Sequence, residues 1–77
     1  MDNMEDCIEL DVCGLEAPEP LQRVLEALTL LKPGMRLRLL IDREPRPLYG
    51  ILERNGYSYT TRLKPDYVYE ITILQKV

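Results

Sequence analysis

The stretch "LDVCGLEAPEP", residues 10–20, decides the fold. It opens as the end of an alternating strand, breaks at Gly14, and runs into two prolines that bracket Glu19. Upstream, Ile8, Leu10 and Val12 share one side while Cys7, Glu9, Asp11 and Cys13 share the other. That period of two predicts a half-buried strand over residues 7–13. Downstream, Leu21, Val24, Leu25, Leu28 and Leu31 recur at helical spacing, so an amphipathic helix follows until Lys32-Pro33-Gly34 stops it. Pro20 suits a first helical turn, where an N–H has no partner to lose, and Glu19 complements the positive end of the helix dipole.

The same grammar repeats. "MRLRLLI", residues 35–41, alternates Leu37, Leu39 and Ile41 against Arg36 and Arg38. Asp42 then opens a second helical stretch carrying Leu48, Ile51 and Leu52, which ends at the C-cap signal Asn55-Gly56. "YSYTTRL" and "DYVYEITIL" are rich in β-branched and aromatic residues and are joined by Lys64-Pro65-Asp66, so they read as a hairpin. The order β-α-β-α-β-β with short crossover helices calls for parallel, right-handed connections between the early strands. It predicts an α/β two-layer sandwich, a four-stranded mixed sheet with both helices on one face. Glu9 and Asp11 then face Arg36 and Arg38 on the open side if their strands are neighbours. Residues 1–6 are expected to be a flexible N-terminus and 7–77 a single domain.

With 77 residues, one small core is the limit, and the margin of stability is narrow. No Trp, Phe or His is present, so five tyrosines supply all the aromatic bulk, and the commonest general base and metal ligand is missing. Tyr57, Tyr59, Tyr67 and Tyr69 are expected to complete the core or its edge, and Tyr49 to lay its ring on the sheet. A net charge of −3 argues against a nucleic-acid partner. No apolar run suffices for a membrane span, and the acidic start lacks the marks of a signal peptide, so a cytoplasmic location is expected. Cys7 and Cys13, six residues apart along one strand, lie roughly 20 Å apart at about 3.3 Å per residue and cannot bridge within the chain. No catalytic constellation, glycine-rich phosphate loop or zinc spacing emerges. The chain is expected to be no enzyme and to carry no cofactor, and a domain this small leaves little room for a pocket.

Leu10-Asp11, Gly14-Leu15 and Pro18-Glu19-Pro20, with Asp42 after the second strand and Gly56 after the second helix, resemble the TusA (SirA-like) sulfur carriers over nearly the whole chain. Closer still is a TusA-related prokaryotic branch known as a domain of unknown function. Its typical wording, "LDVRGLEPPEP" and "DREPRPLY", nearly repeats residues 10–20 and 42–49. The resemblance implies the two-layer sandwich. In the carriers a Cys-Pro-x-Pro motif places a persulfidated cysteine at the first helix N-terminus, where the dipole favours thiolate. Ala17 stands at that position here, so the resemblance does not carry sulfur transfer with it, and function has to be argued from the remaining site.

Two readings remain open. In the first, the chain is a binding module for a protein partner or a small anion. Arg43 and Arg46 flank Glu44 at the predicted start of the second helix, where free N–H groups gather, a candidate site for phosphate, sulfate or a partner's carboxylate. The loops around Ala17–Pro20 and Asp42–Pro47 follow parallel strands at one sheet edge and are expected to share a surface. On it the arginines attract, the prolines stiffen, and Glu19 and Asp42 orient the arginines. A simpler account has Asp42 capping the helix and the arginines paired with Glu44 or Glu19. In the second reading Cys13 is a relocated carrier thiol in a sulfur or redox relay, although a lone cysteine at a strand end is usually just a small residue.

Overall fold

Six elements form in the order expected: β1 (Cys7–Asp11), α1 (Glu19–Leu28), β2 (Arg36–Ile41), α2 (Arg46–Arg54), β3 (Tyr57–Leu63) and β4 (Tyr69–Gln75). The structure is a computed structural model that describes residues 7–76, so the expectation for residues 1–6 lies outside the described residues. The sheet order is β1-β2-β4-β3. β1 pairs in parallel with β2, while β4 is antiparallel to both β2 and β3. β3 therefore runs in the same sense as β2 yet is separated from it by β4. The C-terminal ends of β1, β2 and β3 share one edge.

Alternation decides which face is covered. Leu37, Leu39, Ile71 and Ile73 are fully buried, and Val24, Ala27 and Leu28 of α1 join Leu48 and Leu52 of α2 over them in one cluster. Both helices thus cover a single face, as the sequence predicts. Each such side chain removed from water contributes about 1.5–3 kcal/mol, which offsets the ordering entropy of so short a chain. Val12 and Ile41 are also buried, whereas Ile8 and Leu10 are only partly so, because β1 is an edge strand with the sheet on one side only.

Four boundaries depart from expectation. β1 ends at Asp11, although the Val12 N–H still donates to the Leu40 carbonyl at 2.9 Å. α1 stops at Leu28, three residues before Leu31. The Thr29 hydroxyl donates to the Glu26 carbonyl at 2.6 Å, and the N–H groups of Leu30 and Leu31 turn back to Ala27 and Leu28. This tighter turn still delivers Leu31 to the core, but Leu25 stays 39% exposed and Ala27 takes a core position in its stead. α2 begins at Arg46, because proline at 45 disfavours helical backbone at Glu44 and keeps residues 42–44, which bend at 42 and 43, outside the helix. Asp42 therefore caps no helix. β4 begins at Tyr69, and Tyr67 lies in the hairpin turn with a positive φ of 67° and 78% exposure. Of the four hairpin tyrosines, Tyr57, Tyr59 and Tyr69 pack against the core and Tyr67 does not.

On the open face a chain of alternating charge crosses all four strands. Glu9 pairs with Arg38 at 2.9 Å, Arg38 with Glu70, and Glu70 with Arg62 at 3.0 Å. The Arg38 guanidinium holds the Glu70 carboxyl below its ordinary value, first by hydrogen bond and then by charge. A depressed folded-state value contributes stability above the unfolded carboxylate range that is lost as pH falls through it. Urea midpoints are therefore expected to drop between pH 6 and pH 3, and to drop less in Glu70→Gln. Equal acid limbs in the two proteins would remove Glu70 from the account.

Candidate functional site

The two loops that follow β1 and β2 are tied together by one long-range bond. Asp42 Oδ2 accepts the Gly14 N–H at 2.9 Å across 28 positions of sequence. Gly14 has φ +84°, a conformation that a residue with a β-carbon enters only under strain, so the turn needs glycine here. One bond earlier, Asp11 Oδ1 accepts the Cys13 N–H at 3.0 Å. The chain then reaches α1 through the Ala17–Pro18 peptide, which is cis.

Between these loops and the first turns of α1 and α2 lies a cleft of about 530 Å³. Its walls are Leu15, Ala17, Pro18, Pro20, Leu21 and Val24 on one side, and Ile41, Pro45, Pro47 and Leu48 on the other. Glu16, Asp42, Arg43 and Glu44 supply its charged rim. The expectation that so small a domain lacks room for a pocket is overturned. Four prolines line the cleft, Pro18 and Pro45 just before the helices and Pro20 and Pro47 in their first turns, where fixed φ angles stiffen the backbone. The volume falls within the range of small-ligand sites.

The expected meeting of residues 17–20 with residues 42–47 is thus observed, but the candidate residues divide. Asp42 and Arg43 line the cleft. Arg46 does not; it is 82% exposed and its Nε donates to Glu44 Oε1 at 3.2 Å. Glu19 turns to Arg23 at 3.0 Å, a neighbour one turn along α1. Neither Glu19 nor Asp42 is ion-paired with Arg43 or Arg46, and Arg43 has no ion-pair partner among the described residues. Of the simpler account, only the pairing of Arg46 with Glu44 is present.

Cys13 lies outside the cleft lining, at the same sheet edge. Burial pushes its thiol up to about 11, with the hydrogen bond and charge of Asp11 adding to the effect, and Asp42 and Asp66 acting in the same direction. A thiol so placed stays protonated at neutral pH. Cys7 and Cys13 are both free.

Tyr49 anchors the second loop through a hydroxyl contact that has no signal in the sequence. The Tyr49 ring stacks on Tyr59 with centroids 4.8 Å apart and parallel planes. Its hydroxyl donates to Glu44 Oε2 at 3.2 Å and lies 2.9 Å from Thr61 Oγ1, which anchors the second loop to β3. Its packing on the sheet is legible from sequence; the bond that fixes Glu44 is not. Among the described residues no group of His, Cys, Asp and Glu is arranged to hold a metal ion, and no helix is long and apolar enough to cross a membrane.

The family described as an uncharacterized conserved protein (DUF2249) matches residues 9–75. No curated protein matches the chain. Among solved structures, the crystal structure of a SirA-like protein from Desulfitobacterium hafniense is similar, with 27% identity, 91% of this chain and 99% of that chain covered, and a TM-score of 0.78. The four-stranded mixed sheet with two helices is accordingly a SirA-like fold.

Proposed function

The chain belongs to DUF2249, a family of uncharacterized conserved proteins, and we propose that it is a non-catalytic binding module whose partner occupies the cleft between the β1–α1 and β2–α2 loops. The observation that carries this reading is the cleft itself, apolar on both walls, stiffened by prolines, and open at the edge where parallel strands end. Binding fits its chemistry better than catalysis does. Its ionisable groups are three carboxylates and one guanidinium, with no cysteine, serine, threonine, histidine or lysine among the lining residues. Of the two occupants the sequence suggests, a protein is favoured over a small anion, because the carboxylates outnumber the free arginine. The carrier alternative through Cys13 is disfavoured by a thiol held protonated and set outside the cleft.

Filling the cleft tests the proposal. Ala17 is exposed on its wall, so Ala17→Trp should occupy the space while shifting the urea melt by no more than about 0.5 kcal/mol. Proteins captured by the parent should then be lost to the variant and retained by Arg36→Ala on the opposite sheet face. Identical capture by all three proteins would place the interaction elsewhere and sink the reading.

A further inference from the structure

We infer that the occupant of the cleft is an extended protein segment that is both apolar and basic, its hydrocarbon side chains against the leucines and prolines and a lysine or arginine at the acidic rim. The inference rests on the binding reading and adds the chemistry of the partner.

Two observations choose that chemistry. The first is the wall. Pro18, Pro20, Pro45 and Pro47 have no backbone N–H to offer, so a bound segment gains little from strand-like pairing there and is recognised through its side chains. Rigid proline rings leave the apolar surface open in the free state and reduce what must be ordered on binding. The second is the rim. Glu16, Asp42 and Glu44 stand against Arg43, and although Arg46 offsets Glu44, the balance stays negative on a chain whose net charge is already −3. Asp66 and Asp11 add carboxylates along the same edge, where both act on Cys13, against one cation, Lys64, that acts on Asp11. Glu16 is exposed and has no ion pair among the described residues, and Asp42 uses one carboxylate oxygen on Gly14. An anion would meet this field with repulsion. A cation on an apolar segment meets complementary charge, which speeds encounter and fixes orientation.

The test uses all 77 residues of the chain and three synthetic octapeptides. One alternates leucine with lysine, one leucine with glutamate, and one serine with lysine. Amide chemical shifts locate the contact and titration gives Kd. The expected result is that leucine–lysine peptide binds with shifts confined to residues 15–24 and 41–48. The other two peptides should bind at least tenfold more weakly. Glu16→Gln should weaken the leucine–lysine peptide severalfold, and Ala17→Trp should abolish its binding. Equal binding of the glutamate peptide would overturn the basic requirement, and equal binding of the serine peptide the apolar one. A dimer in sedimentation that is lost in Ala17→Trp would make a second copy the occupant and overturn the inference. Failure of all three peptides, with capture still lost in Ala17→Trp, would overturn the partner's chemistry while leaving the cleft as the binding site.

Discussion

Leu39→Ala is expected to lower unfolding stability by about 2–5 kcal/mol. Leu39 is fully buried in β2, paired with Leu10 on one side and Ile71 on the other, so both neighbouring strands and the helical layer lose contacts when it is truncated. Small domains have only about 5–15 kcal/mol in all, and this chain belongs at the low end of that range. The loss should shift the urea midpoint sharply with little change in slope. Leu39→Met, which nearly conserves volume, should cost less than about 1.5 kcal/mol. An alanine variant within about 0.5 kcal/mol of the parent would mean that the sheet faces are reversed.

The second large effect is on Cys13. With its thiol at about 11 instead of 9.0, the thiolate share at pH 7 falls by about a hundredfold. The greater intrinsic nucleophilicity of a more basic thiolate recovers about tenfold of that in disulfide exchange. Cys13 should therefore exchange about tenfold more slowly than an unperturbed thiol, measured in Cys7→Ser so that one cysteine reports. Its rate should still be rising above pH 9, and Asp11→Asn, which removes the second cause of the shift after burial, should bring part of the reactivity back. Because the folded-state value is raised, this thiol contributes stability that is intact below about pH 9 and lost as pH climbs toward 11. Under non-reducing denaturation the parent should titrate two thiols per chain, as expected for two free cysteines. Exchange at neutral pH as fast as a small free thiol, or ready persulfidation, would restore the carrier reading.

Alternation at residues 8–12 and 37–41 was enough to place the first two strands and choose their inner face, since period two leaves a half-buried strand no other way to hide its leucines. Proline and glycine positions told where the turns are, and the resemblance carried by residues 10–20 and 42–49 told which fold they serve. Local sequence misjudged where elements end. The hydroxyl of Thr29 and the backbone restriction at Glu44 act within a turn or two and compete with periodicity, so α1 closed early and α2 opened late. Partners across space were out of reach. Nothing near Asp42 says that its carboxylate belongs to Gly14, nor near Tyr49 that its hydroxyl meets Thr61. The sequence by itself determined the layers, the covered face and the loops that share an edge, because each follows from short-range periodicity and chain connectivity. Only the tertiary structure decided that those loops stand apart as a cleft, that Arg43 and Asp42 line it while Arg46 and Glu19 turn away, and that Cys13 is held protonated. Those outcomes depend on distances and fields between residues far apart in the chain, and such quantities are fixed only once the sheet has brought them together.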